Sequence, residues 1–563
     1  MQNSGSYALT ARMQAKFEEA RAFHRQGQIA QAQTLYGKLL EIRPDHADAL
    51  HLLGVAAYQT GNHRKAVELI GKSIAIFPDN AVFHYNLGIA LNELKELEAA
   101  AACFGKTVSL KPDYHPACLK LANTLQELNR FEAALASYDQ AITIKPEEHL
   151  AHYGRANALK QLRRFEAAVA SYDDAIALNP DHAESYSNRG NALQELKQFD
   201  AALASYDKAV SLQPEDHLAQ FNRGTALQQL NKSEEALDCY DKAIAARPDF
   251  PDACWNKSLA LLTGGNYLDG WPLYEWRWQV AKFAAARRNF IQRLWLGRGS
   301  LAGKTILLYS EQGLGDTIQF CRYIPLIAKL GARVVLEVDL PLTGLLKEIT
   351  GLSAVFAKGS SLPESDFHCP LMSLPLAFKT EPNTIPCTRR YLKSDPEKSA
   401  QWKSRLGQKM YPFVGLVWSG NITHSNDGNR SVLLSDLIRH LPAGISYASL
   451  QKEVRDADRS TLASNAQILH LGDELTDFTD TAALCDLMDA VISVDTSVAH
   501  LNGALGNPTW LLLPFSPDWR WMLDREDSPW YPDLRLIRQQ KPGDWSGAFE
   551  KLNSDLLAAY GKK

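Results

Sequence analysis

The chain has 563 residues, 45% of them hydrophobic, and a formal net charge of −4 at pH 7. That length implies several domains with real cores, and the charge balance offers no basic surplus for gripping nucleic acid or an anionic membrane. No apolar run of about 18 residues occurs, and the opening MQNSGSYALT lacks a signal-peptide pattern, so a cytoplasmic protein without a membrane span is expected. The eight cysteines (103, 118, 239, 254, 321, 369, 387 and 485) are scattered without a C-x-x-C pair and read as buried thiols in a reducing compartment.

Residues 1–12 read as a tail. Beyond them, prolines stand at 44, 78, 112, 146, 180, 214 and 248, and alanines at 32, 66, 100, 134, 168, 202 and 236. A third column holds Tyr36, Ile70, Phe104, Tyr138, Tyr172, Tyr206 and Tyr240, and a fourth the small residues Gly54, Gly88, Ala122, Ala156, Gly190 and Gly224. A fixed period of 34 residues, with small residues where helices touch and proline at the exit, is a helix–turn–helix unit repeated seven times over 13–250. Such units stack into an α-solenoid with a long inner surface. Along that surface fall Tyr153 and Phe221, then Asn86, Asn188 and Asn222 in one column and Asn123, Asn157 and Asn191 in the next. Asparagine is a poor helix former. Its amide can nevertheless meet both the N–H and the C=O of an extended peptide, so these residues read as a peptide groove or as plain solvated positions. The array resembles the tetratricopeptide repeat, and its asparagine columns are similar to those lining the repeats of nucleocytoplasmic N-acetylglucosaminyltransferases.

An eighth unit begins in register at Trp255, turns at Gly264-Gly265-Asn266 and runs into GWPLYEWRW, 270–278. This segment, within 251–302, reads as an apolar dock fixing the array against the next domain.

From 304 the pattern changes to short β-branched runs: TILLYS, ARVVLEVDL (332–340) and LSAVFA (352–357), followed by a proline-bearing connection, CPLMSLPLAF. Alternation resumes with PFVGLVWSGN (412–421), ISYASLQK (445–452), QILHLG (467–472), DAVISVDT (489–496) and TWLLLPF (509–515). Strand–helix alternation predicts parallel sheets, here two Rossmann-like α/β units at 303–400 and 401–563 with a cleft between them.

Two turns stand out. After the first strand comes EQGLGD, in which Gly313 and Gly315 allow close backbone approach and Asp316 falls at a helix start, as a cap or as a reacting carboxylate. It lacks the G-K-[ST] ending of a phosphate loop and the third glycine of a dinucleotide fingerprint. Late in the chain an apolar strand ends in Asp495-Thr496-Ser497 with His500 one turn on. Helix amides and two hydroxyls there form a phosphate-sized anion site. Together, GLGD and D-T-S-x-x-H-L-x-x-A-L-G-x-P resemble glycosyltransferase family 9, the heptosyltransferase-like group, over about 303–545. The layout of repeats, a Trp-rich joint and EQGLGD also looks like bacterial repeat–glycosyltransferase fusions, flagellin glycosyltransferases among them.

The resemblance implies the two-domain glycosyltransferase B fold. Asp316 would be the acceptor-side general base on the first unit, and Asp495, Thr496, Ser497 and His500 would hold the phosphate and sugar of a nucleotide-sugar donor. Ser310-Glu311-Gln312 stands where heptosyltransferases carry an arginine-serine lead, which puts a lipopolysaccharide acceptor in doubt. Further donor candidates sit at strand ends: Trp418 for stacking, Ser419 and Asn421, then Gln451 and Lys452, with Arg520 as a phosphate partner. His424, Asp427, Asn429 and Arg430 make a polar loop able to close over a donor. No metal motif and no cofactor site are evident. The expected activity is protein O-glycosyl transfer to a Ser or Thr hydroxyl of a polypeptide held by the repeats, a flagellin-like protein being one candidate acceptor. The alternatives are a glycan-directed transferase and a non-catalytic repeat scaffold.

Overall fold

A computed structural model describes residues 2–386, 388–408, 412–424 and 426–561, with side chains from residue 12 onward. Cys387 lies outside the described residues; of the other cysteines, Cys103 is half-buried, the rest are buried, and all are free thiols. The chain forms two compact units, 1–214 and 215–563.

The first unit is all helical. Its first helix, Gln2–Arg25, takes in most of the stretch read as a tail. Helix pairs then follow the 34-residue period, as in Ala81–Glu93 with Leu97–Leu110 and His149–Gln161 with Phe165–Leu178. The sequence columns have direct packing causes. Ala100, Ala134, Ala168 and Ala202 are fully buried, as are the rings of Phe104, Tyr172 and Tyr206. A Cβ on Gly88 would sit 2.7 Å from the Phe104 ring, and one on Gly190 would sit 2.6 Å from Tyr206. At these two positions glycine lets the helices of a pair touch, and in other pairs the small residues Ala122 and Ala156 take the same place, fully buried. Each proline follows a helix C-cap, such as Arg43 or Phe77, where its missing N–H breaks no helical bond.

The turn within each pair is set by backbone geometry. Gly27, Gly61, Lys95, Asn129, Arg163 and Lys197 recur every 34 residues with φ between 57° and 78°. This left-handed residue redirects the chain into the second helix of the pair.

The asparagine columns are engaged from within. The hydroxyls of Tyr138, Tyr172 and Tyr206 donate to Oδ1 of Asn123, Asn157 and Asn191 at 2.6, 2.5 and 2.7 Å. Asn86 Nδ2 meets His51 Nε2 at 2.8 Å, and Asn188 Nδ2 donates to the Tyr153 hydroxyl at 2.9 Å. Their first role is to tie helices together. For Asn123, Asn157 and Asn191 the tyrosine fixes the carbonyl end and leaves the amide N–H groups to point elsewhere.

The second unit opens with two more helix pairs, His217–Gln229 with Ser233–Ala246 and Pro251–Thr263 with Tyr267–Tyr274. The left-handed turn residues persist as Asn231 and Gly265. Asn231 Nδ2 donates to the Phe515 carbonyl at 2.7 Å. Pro272 lies inside the last helix, which gives way to a 3-10 turn at Glu275–Gln279. Trp271 is buried and donates to the Thr380 carbonyl at 2.9 Å, and Trp530 donates to the Tyr267 hydroxyl at 3.2 Å. Trp276 and Trp278 are only half-buried, so the apolar dock rests on Tyr267, Trp271 and Tyr274 rather than on all three tryptophans of the segment.

Two parallel sheets complete the unit. Strands β1 (Arg293–Leu294), β2 (Thr305–Tyr309), β3 (Arg333–Val338), β4 (Leu352–Ala357) and β5 (Phe367–Pro370) lie in the order β1-β5-β2-β3-β4. Strands β6 (Phe413–Val417), β7 (Ser446–Ser449), β8 (Ile468–His470), β9 (Ala490–Val494), β10 (Thr509–Leu513) and β11 (Leu534–Arg538) lie in the order β11-β10-β9-β6-β7-β8. All these pairings are parallel. Every strand expected from the sequence is present. The segment read as a proline-bearing connection contains the end of β5, a strand that pairs with β2. In each sheet the chain works outward from its first long strand and then crosses to that strand's other side. The reversals fall between β2 and β5 and between β6 and β9, where an open parallel sheet leaves a crevice at its carboxyl edge.

Candidate functional site

β2 delivers the 310–316 turn. Gly313 precedes helix Leu314–Phe320, and the Asp316 carboxylate accepts from its N–H through Oδ2 at 2.8 Å. The other oxygen, Oδ1, is ion-paired with Arg520 Nη2. Burial raises the Asp316 carboxyl above the usual range, opposed by the Arg520 charge and reinforced by Asp518. Gly315 permits a close approach between the two turns. A Cβ there would lie 2.7 Å from the His500 ring and 3.4 Å from Ser497 Cα. The glycine thus lets helix 314–320 of the first sheet pack directly on Ser497–Ala504 of the second.

β9 delivers the other turn. Thr496 precedes helix 497–504 and makes no side-chain cap, so the first amides of that helix are left to other partners. Its hydroxyl lies 3.1 Å from Ser493 Oγ. Asp495 and Ser497 are half-buried. Burial lifts the Asp495 carboxyl to about 6, helped by Asp518 and resisted by Arg430 and Arg520. His500 is buried, stacks on Trp521 with ring centroids 5.3 Å apart, and meets the Tyr531 hydroxyl through Nδ1 at 2.9 Å. Its Nε2 stands 3.9 Å from Asp495 Oδ1. Burial and three nearby arginines push its pKa well below the ordinary value, so the ring is neutral.

Arg520, expected to meet a phosphate, is the hub of the site. Its guanidinium already holds Asp316, Asp518 Oδ1 at 2.7 Å and Gln319 Oε1 at 2.6 Å. An incoming phosphate must compete with these partners. Gln319 and Asp518 were not among the expected site residues. The sequence signals were a glutamine three positions after Asp316 and an aspartate two before Arg520.

The β6 crevice assembles as a stapled loop. Arg430 donates to the Asp495 carbonyl at 2.7 Å, joining the β6 and β9 ends. Asp427 is buried and binds Arg455 and, at 2.7 Å, Ser431 Oγ. Gln451 Oε1 accepts the backbone N–H of Trp418 and of Ser419 at 3.2 and 3.1 Å, so it shapes the strand end. Ser419 Oγ is buried with no hydrogen-bond partner. Trp418 does not face the crevice: its indole is fully buried and donates to Asp458 at 3.0 Å, which corrects the expectation that it stacks on a ligand. Asn421 is exposed and accepts from its own loop at Thr423. Lys452 reaches the Thr476 carbonyl at 3.2 Å rather than the 495–500 turn. His424 is lowered by burial and by Arg430, while Asp518 and Asp316 act the other way. Among the described residues no group of three or more His, Cys, Asp or Glu side chains is placed to hold a metal ion, and no helix is long and apolar enough to cross a membrane.

Tetratricopeptide-repeat family models match residues 23–85, 81–114 and, in overlapping windows, 119–183, 153–217, 187–249 and 221–270. The N-terminal part is therefore a tetratricopeptide-repeat solenoid, joined to a C-terminal part of parallel α/β sheets. A curated relative, Protein FlbA of Caulobacter vibrioides, is 26% identical over 315 residues, 51% of this chain and 52% of FlbA. The chain spans about half the length of that relative. Among solved structures, YrrB, a TPR protein with an unusual peptide-binding site, is 24% identical over 34% of this chain and all of its own, with a TM-score of 0.31. MamA is 21% identical over 30% of this chain and 92% of its own, with a TM-score of 0.29.

Proposed function

We propose that the protein is a glycosyltransferase that moves a sugar from a nucleotide-sugar donor to a Ser or Thr hydroxyl of a polypeptide recruited by the repeats. One observation carries this reading: the two motif turns, each at the strand-order reversal of its own sheet, meet at the Gly315–His500 contact. The donor side is the β6–β9 crevice. There an uncapped helix start, the hydroxyls of Thr496 and Ser497 and the unpartnered Ser419 hydroxyl supply donors for a diphosphate. Helix amides and the arginine-rich surroundings would stabilise the leaving nucleotide. On the acceptor side Asp316 would take the hydroxyl proton through a lone pair that its two present partners leave open. The amide N–H groups of Asn123, Asn157 and Asn191 would meet a peptide backbone.

A second reading is favoured by one observation: both oxygens of Asp316 already serve a helix cap and a buried arginine. In a binding scaffold that would be their whole role. Thermal unfolding with UDP, GDP, CMP and a panel of their sugar conjugates separates the two. A nucleotide at 100 times its dissociation constant stabilises by about 2.7 kcal/mol, and Asp495→Ala with His500→Ala should abolish the shift. The absence of any shift across the panel sinks the transferase reading.

A further inference from the structure

A cavity of about 530 Å³ opens at the reversal between β2 and β5, on the first sheet alone. Tyr309 and Pro370 line it from the two strand ends and His368 from within β5, and Trp278, Asn289, Phe290 and Gln292 wall it from the segment that links the last repeat to β1. It shares no lining residue with the donor turn or with Asp316. A carboxyl-edge crevice at a strand-order reversal is where an open parallel sheet receives a ligand.

Its chemistry is mixed in a particular way. Phe290 lies 4.3 Å from the His368 ring and 5.1 Å from the Tyr309 ring, centroid to centroid, forming a continuous aromatic wall. Arg288 lies over Phe290 at 4.6 Å, but its charge is taken up by Glu337. Glu275 is likewise neutralised, by Arg277 at 2.6 Å. Apart from the Arg287 guanidinium, the other polar groups lining the space are uncharged and planar: the amides of Gln279, Asn289 and Gln292, a phenol, an indole and an imidazole. His368 is 8% exposed, and its Nδ1 is buried without a hydrogen-bond partner. Native folds rarely leave such an atom unmet unless a ligand or water meets it. Burial and the Arg288 charge lower its pKa, which keeps the ring neutral and able to donate at one nitrogen and accept at the other.

From the orphaned His368 nitrogen, the aromatic wall and the three amides, we infer that this cavity is a saccharide-binding site. A sugar ring offers C–H faces for the aromatic wall and hydroxyls that both donate and accept, which amides and a neutral imidazole match. The site stands whether or not the β6–β9 crevice transfers sugar.

Saturation-transfer NMR on the full chain with methyl glycosides of glucose, galactose, mannose, rhamnose and N-acetylglucosamine tests it. At least one glycoside should receive saturation at its ring protons. Asn289→Ala with Gln292→Ala, both outside the buried core, should weaken that signal at least fivefold, as should His368→Phe, while Asp495→Ala should leave it intact. Three results overturn the inference: no saturation in any glycoside, a signal indifferent to the cavity variants, or a signal lost with Asp495→Ala. Saturation of an extended Ser/Thr-rich peptide with none in the glycosides overturns it as well.

Discussion

Asp316 carries two jobs that the sequence alone could not separate. EQGLGD made its place at a helix start legible, but nothing in the local sequence pointed 204 residues onward to Arg520, so the ion pair was invisible. Asp316→Asn keeps an acceptor for the Gly313 N–H and loses the charge facing Arg520. Breaking a buried pair costs about 3–5 kcal/mol when the partner is stranded; with Asp518 and Gln319 still on Arg520, a loss of about 1–3 kcal/mol is expected. If the carboxylate is also the base, transfer per folded molecule should fall about 10²–10⁴-fold. Rates measured at matched folded fraction decide the point, and an unchanged rate removes Asp316 from catalysis. Asp495 makes a separate, signed prediction. Its folded carboxyl holds its proton to about 6, whereas an unfolded aspartate releases it near 4. Between those values the native state binds more protons, so rising pH lowers stability, by about 3 kcal/mol at most. Urea midpoints at pH 4 and pH 6.5 should show this fall in the parent and a flatter profile in Asp495→Asn. Equal slopes would mean the group is not perturbed.

At the scale of elements, periodicity was legible wherever one column met one packing need. The small-residue and large-apolar columns were readable because the helix contact they serve recurs in pair after pair. The asparagines at 123, 157 and 191 were visible as a column, and the tyrosines fifteen positions later as another. Only the fold shows that the two columns bond to each other. β5 and β11 escaped for a different reason. FHCP ends in proline and LRLIR carries two arginines, yet each strand takes its register from a parallel neighbour, β2 or β10. The left-handed turn residues give the prediction that belongs here. Lys95 and Arg163 hold φ of 59° and 57°, where a side chain costs on the order of 1 kcal/mol that glycine avoids. Lys95 pairs with Glu127 only at an exposed 3.5 Å, an interaction of little worth. Lys95→Gly with Arg163→Gly should therefore raise Tm, read by circular dichroism at 222 nm. A lower Tm would mean that the surface contacts outweigh the backbone relief.

For the molecule as a whole, the sequence pattern separated a 34-residue helical rhythm from short β-branched runs, because each obeys a local rule. The crevices were not local: each arises from strands that are distant in sequence and adjacent in the sheet. That is why Ser419 and the 495–497 turn could be proposed singly, while the Arg430 link between them could not. The aromatic packing of the last repeat has an optical consequence. Trp271 and Trp519 stand edge-on with centroids 5.3 Å apart, Trp519 and Trp530 likewise at 6.0 Å, and Tyr267 stacks on Trp530 at 6.2 Å. Transition dipoles that close, held in a fixed chiral arrangement, exchange excitation and split one another's absorption. The protein therefore carries its own unlabelled gauge of whether its final helix pair is seated on the sheets, a coupled tryptophan band in the near ultraviolet that should fade as that pair lifts away, before any helical signal is lost.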